Sequence, residues 1–162
     1  MTGVQTCALP ISRGIRITAG GAISDVSISG VVIDGITASS SAYGIHVSQA
    51  VTGLEIAGST LSSISGGSNA YGIWVAASAP SLSITNSEVS GLTGSSTAAI
   101  RFDGDADTGS ASVSGSSLAV GSSAAGIASD LAGSAVLATG NWWGCASGPN
   151  ASGCSTVASA SV

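Results

Sequence analysis

Arg16, His46, Trp74 and Arg101 are the side chains of this sequence best placed to do chemistry. Each directly follows an isoleucine: Ile15, Ile45, Ile73 and Ile100. The last three isoleucines are 28 and 27 residues apart, and Ile127 follows 27 later. If equivalent segments stack as strands, the four side chains form one outward column, with neighbours about 4.8 Å apart. The column would offer one flat ring and two cations. An arginine over an exposed indole face contributes about 0.5–1 kcal/mol. Such a face could track a linear anionic polymer, a polysaccharide or a cell-surface glycan. Exterior stacking that merely covers a sheet is the plainer account of the same residues.

The acids offer less. Asp103, Asp105 and Asp107 alternate along Asp103-Gly104-Asp105-Ala106-Asp107-Thr108-Gly109. Alternate carboxylates on a tight turn suit Ca2+, a hard cation that takes oxygen ligands. The match to a helix-loop-helix calcium loop is partial, because the glycine is displaced by one and Ser114 stands where a bidentate Glu belongs. A solvated acidic turn is the plainer account. Glycoside hydrolysis needs two carboxyls roughly 5–9.5 Å apart, and no column is expected to hold acids on adjacent coils. For a lyase, Arg101 beside Asp103 and Asp105 is the nearest approach. His46 is the only histidine, and no Ser-His-Asp set follows from its spacing. No catalytic residue is assigned. Tyr43 and Tyr71 recur 28 apart in Ala-Tyr-Gly and are expected to stack on each other.

What must position these residues is a repeat. Three short apolar runs recur with the isoleucines. The first is Val26-Ser27-Ile28, Leu54-Glu55-Ile56, Leu82-Ser83-Ile84 and Ala111-Ser112-Val113; the second is anchored at Ile33, Leu61, Val89 and Leu118; the third carries the isoleucines above. The five-residue step from Ile28 to Ile33 recurs as Leu137 to Trp142 and marks a fifth, shorter coil. Each run alternates apolar and polar residues, the period of a strand with one buried face. Gly and Ser clusters separate the runs as turns require. One such coil cannot bury its own apolar face, but stacked copies can. The expectation is an all-β parallel β-helix, a solenoid of about five coils of roughly 28 residues with three short strands each. The usual crossover preference makes it right-handed.

Composition agrees. Gly is 24 of 162 residues, charged residues are 7% and aromatics 4%, which suits a narrow interior of small aliphatics. Three basic residues against eight acids exclude a nucleic-acid surface. No apolar stretch is long enough for a membrane-spanning helix. Residues 1–12 stand apart: Met1 to Ile11 carry neither repeat nor alternation and resemble the conceptual translation of a short-read sequencing adapter. They are set aside as foreign to the protein. The coils are assigned to 13–144, and a closing loop with a truncated C-terminal segment to 145–162.

The most specific local signal is Asn141-Trp142-Trp143-Gly144-Cys145-Ala146-Ser147-Gly148-Pro149, followed by Cys154. It resembles the terminal motif of right-handed parallel β-helix proteins from bacterial surfaces, related to the pectin-lyase-like superfamily. The resemblance implies a secreted or surface-displayed chain. Members often carry a ladder of Asn at the end of the first run; here Asn86 and Asn141 are read into that place, with Gly30, Gly58 and Gly115 in the others. Trp142 falls on the core position of Leu118 and would stopper the open end, leaving Trp143 outward. Cys145 and Cys154 can close a disulfide, remain free thiols or, least readily, bind a metal, since zinc wants four ligands. A disulfide, contributing about 2–3 kcal/mol in the chain-entropy model, fits an oxidising extracellular setting. The functional expectation is a structural or adhesive module, with neighbouring coils or domains as partners. The alternative is a fragment of a polysaccharide lyase or glycoside hydrolase whose catalytic coils lie elsewhere.

Overall fold

Ile45 pairs with Ile15 and Ile73, Ile73 with Ile100, and Ile100 with Ile127, always on parallel neighbouring strands. The computed structural model showing this describes residues 11–18, 20–104, 106, 109–131 and 135–159. Six strands, Ile11–Ile17, Ser41–Val47, Asn69–Val75, Ser96–Phe102, Ala125–Ser129 and Thr156–Ser159, stack in chain order as the first wall of a solenoid. A second wall stacks Ser27–Ser29, Glu55–Ala57, Ser83–Thr85, Ser110–Ser114 and Ala135–Thr139. Ile28, Ile56, Ile84 and Val113 lie strand over strand within it. Val32–Asp34, Thr60–Ser62 and Glu88–Val89 make the third wall, continued by single bridges to Ser117 and Trp142. The fold is therefore the all-β stack of about five coils that the repeat predicts. Beyond the three expected strands per coil, two further short ladders line the coils. One joins Thr37–Ala38, Ile64–Gly66 and Leu92–Thr93, and the other joins Ile23–Ser24 and Val51–Thr52.

The corners explain how short alternating runs become a tube. Three corners recur, each with one residue in the left-handed region: Asp25, Gly53, Ser81 and Gly109 at the first, Gly30, Gly58, Asn86, Gly115 and Gly140 at the second, Gly35, Ser63 and Gly91 at the third. Gly is cheapest there, and Asn and Asp are the usual tolerated substitutes. At the second corner the N–H groups of Gly30, Gly58 and Asn86 donate to Ala57, Thr85 and Ser114 carbonyls one coil on, at 3.0–3.1 Å. Turn and stacking are thus made by the same residue. Asn86 occupies this corner, but Asn141 does not; Gly140 does.

Asn141 instead ends a ladder that the sequence reading missed. Ser59, Ser87 and Ser116 are buried directly after the second corner. Ser87 Oγ accepts from the Ser59 N–H at 3.2 Å, Ser116 Oγ from the Ser87 N–H at 3.1 Å, and Asn141 Oδ1 from the Ser116 N–H at 3.0 Å. Each serine hydroxyl also donates to the carbonyl two residues before it. Backbone amides that no strand pairs are satisfied this way, as buried polar groups must be.

Three expectations need correction or completion. Trp142 is 50% exposed and Trp143 only 7%, so the stopper is Trp143. The cause is register: Val113 pairs with Ala138, not Leu137, so the fifth coil is one residue longer and every later side chain changes face. Leu137, on the outward side, is 64% exposed. The Trp143 ring packs where a Cβ on Gly126 would lie 2.8 Å away. Beside it Cys145 and Cys154 form a disulfide with a Cα separation of 5.5 Å. The segment after the disulfide is more than a tail, because Thr156–Ser159 re-enters the stack on Ala125–Ser129. At the other end, Ile11 and Ser12 pair with Ser41 and Ala42; the rest of the segment set aside above, 1–10, lies outside the described residues. Among the described residues no helix is long and apolar enough to cross a membrane.

Candidate functional site

The exterior of the first wall gathers most of what chemistry this chain has. In-register pairing sets Arg16 beside His46, His46 beside Trp74, and Trp74 beside Arg101, then Ala128. The predicted column is therefore assembled. A second column runs next to it: Arg13, Tyr43, Tyr71, Ala98 and Ala125. All three basic residues of the chain, its only histidine and both its tyrosines belong to these two columns. Strict alternation would turn residue 43 inward with Ile45. It does not, because Gly44 faces the interior as well: a Cβ there would collide with Leu61 Cδ2 and lie 2.5 Å from the Gly72 carbonyl oxygen. Two consecutive inward residues put Tyr43 and His46 on one outer face. Only the paired Ala-Tyr-Gly triplets hinted at this in the sequence.

The rings pack into one cluster. His46 and Trp74 are parallel, with centroids 4.2 Å apart and 6° between planes. Tyr43 lies 4.5 Å from Trp74, and the expected tyrosine stack is present at 5.7 Å and 25°. One face of the Trp74 indole is therefore covered by His46 rather than open as a platform. His46 is only 4% exposed. Its Nδ1 accepts from Arg13 Nε at 2.8 Å. Burial, then the charges of Arg13 and Arg16, push its pKa down to about 4, against a small opposing pull from Asp103. The ring is neutral at pH 7 and, with Nδ1 accepting, carries its proton on Nε2. His46 Nε2 and Trp74 Nε1 are buried without a hydrogen-bond partner among the described residues.

The three arginines differ. Arg101 donates to Asp103 at 3.2 Å and to Asp130, so its charge is neutralised by two carboxylates. Arg13 and Arg16 make no ion pair among the described residues. Arg13 sits with Cζ 5.8 Å from the Tyr43 centroid, and Arg16 Nε donates to Ser48 Oγ at 2.9 Å. Asp103 and Asp130 follow Phe102 and Ser129, which pair across adjacent coils. The expectation that no acids neighbour each other between coils is corrected there: the coil from 103 to 130 matches the 27-residue spacing, and Asp130 lies outside the columns compared in the sequence.

Of the calcium candidates, Asp105 and Asp107 lie outside the described residues, and Asp103 is engaged by Arg101. Among the described residues no group of three or more His, Cys, Asp or Glu is placed to hold a metal ion. The remaining acids are scattered: Asp25 lies at the first corner, Glu55 on the second wall, Glu88 and Asp34 on the third. Asp34 accepts from Ser62 Oγ at 2.7 Å, and this bond with one from Ser63 holds its carboxyl below the usual range. No protein-family description, curated protein or solved structure matches this chain.

Proposed function

We propose that this chain is a structural or adhesive module of a secreted or cell-surface protein, a stiff right-handed β-helix whose first-wall exterior contacts an acidic glycan. The observation that carries the reading is the segregation of side chains: every basic residue shares one outer face with four aromatic and imidazole rings. Glu55, Glu88 and Asp34 stand on other walls. The disulfide supports an oxidising compartment. Continuous parallel pairing through six strands supports stiffness along the axis. Resemblance of the Trp-Cys motif to surface β-helix proteins of the pectin-lyase-like superfamily points the same way. Binding of the whole chain to an array of acidic and neutral glycans tests it. Binding to acidic glycans is expected, weakened in Trp74→Ala and Arg16→Ala combined. Undiminished binding by that double variant would remove this face from the reading.

A second reading, a piece of a polysaccharide lyase or glycoside hydrolase, draws support from Asp103 and Asp130 on adjacent coils around Arg101. Release of new reducing or unsaturated ends from an acidic polysaccharide, abolished in Asp130→Asn, would favour it.

A further inference from the structure

Among the described residues, two of the three arginines are held in place yet carry charge that no carboxylate answers. A guanidinium has five N–H donors. Arg13 uses its Nε–H on His46 and Arg16 its Nε–H on Ser48, whose hydroxyl in turn donates to the Ile17 carbonyl at 3.0 Å. Among the described residues the Nη groups of both have no partner. The contrast with Arg101, clamped by Asp103 and Asp130, is made within the same wall. Arg13 is moreover paired with a neutral imidazole where an acid would have cancelled its charge. In a chain of net charge −5, two such cations three residues apart on one strand amount to a positive spot on a negative body.

We propose that Arg13 and Arg16 form an oxyanion-binding pair for acidic groups carried along a linear polymer, a site resting on the glycan-contacting reading of the first wall. Fixed Nε bonds hold each planar fork on the wall, which suits two-pronged recognition of carboxylate or sulfate oxygens. The stacked rings of Tyr43, His46 and Trp74 continue the wall next to the pair, along the direction in which a polymer would run.

The test uses three polymers with one backbone: dextran sulfate, carboxymethyl dextran and uncharged dextran. The whole chain should bind the first two, more weakly as salt rises, and ignore the third. The ratio between the charged two tells sulfate from carboxylate. Arg13→Gln with Arg16→Gln should weaken binding tenfold or more and reduce the logarithmic salt slope by up to about two. Arg16→Gln alone, which leaves the Arg13–His46 bond in place, should give part of that loss with an unchanged unfolding midpoint. Equal affinity in wild type and both variants overturns the pair. A second readout separates it from the wider reading. Inorganic sulfate should shift the Nε–H nuclear resonances of Arg13 and Arg16 saturably, leaving Arg101 unmoved. Shifts at Arg13 and Arg16 without polymer binding keep the anion pair and reject the glycan face. No shift at either arginine overturns the pair, whatever the polymer does.

Discussion

His46 should make this protein lose stability as pH falls from 6.5 towards 4. Its ring lies flat on Trp74, is almost wholly buried, and accepts the Arg13 Nε–H. Protonation would remove the acceptor and place a third cation beside Arg13 and Arg16. The folded pKa is pushed down from 6.5 to about 4. Above pH 6.5 the ring is neutral folded and unfolded, and its full contribution is present. As pH falls from 6.5 towards 4 the unfolded chain takes up the proton first, so stability declines across that window and levels off below it. At 1.36 kcal/mol per unit, the displacement corresponds to roughly 3 kcal/mol. The assay is urea unfolding of wild type and His46→Gln from pH 7.5 to 4, reading the difference between the two curves. Gln retains an acceptor for Arg13 but does not titrate. The difference should shrink by roughly 3 kcal/mol between pH 6.5 and 4. Parallel curves would refute the argument, because they would mean that the ring takes its proton as easily folded as unfolded.

Two further outcomes follow from packing. Trp143→Ala should lower stability by about 3–5 kcal/mol, as for large buried aromatics, whereas Trp142→Ala at its exposed neighbour should change it by less than about 1 kcal/mol; chemical denaturation of both variants decides which ring closes the tube. Gly44→Ala should destabilise by about 1–3 kcal/mol, because its new methyl would strike Leu61 Cδ2 and the Gly72 carbonyl. Thermal unfolding checks this, and an unchanged midpoint would show that the wall has room to move there.

The stack itself was readable from periodicity. Aliphatic residues at intervals near 28 forced one tube, and equivalent residues had to meet; Ile28 over Ile56 over Ile84, and Trp74 between His46 and Arg101, follow directly. Where the interval changed, the reading slipped. The fifth coil offered two adjacent apolar residues at both decisive places, Val136-Leu137 and Trp142-Trp143, and nothing local says which of each pair turns inward. One extra residue reversed the assignment. The serine ladder was hidden for another reason. Ser is the commonest turn residue in this composition, and only its recurrence after each second-corner Gly or Asn distinguishes Ser59, Ser87 and Ser116 from solvent-facing neighbours.

From the primary structure alone came the repeat, the parallel strands, the shared aliphatic interior and the outward column of Arg16, His46, Trp74 and Arg101, because one-dimensional spacing dictates which residues become neighbours once coils stack. What it left open was decided by three-dimensional packing. Whether His46 is a buried neutral acceptor, whether Arg101 is cancelled while Arg13 and Arg16 are not among the described residues, and which tryptophan enters the core depend on inward consecutive residues, on which acids a guanidinium can reach, and on a one-residue change in coil length. Those are properties of distances between side chains far apart in the chain, and no local pattern encodes them.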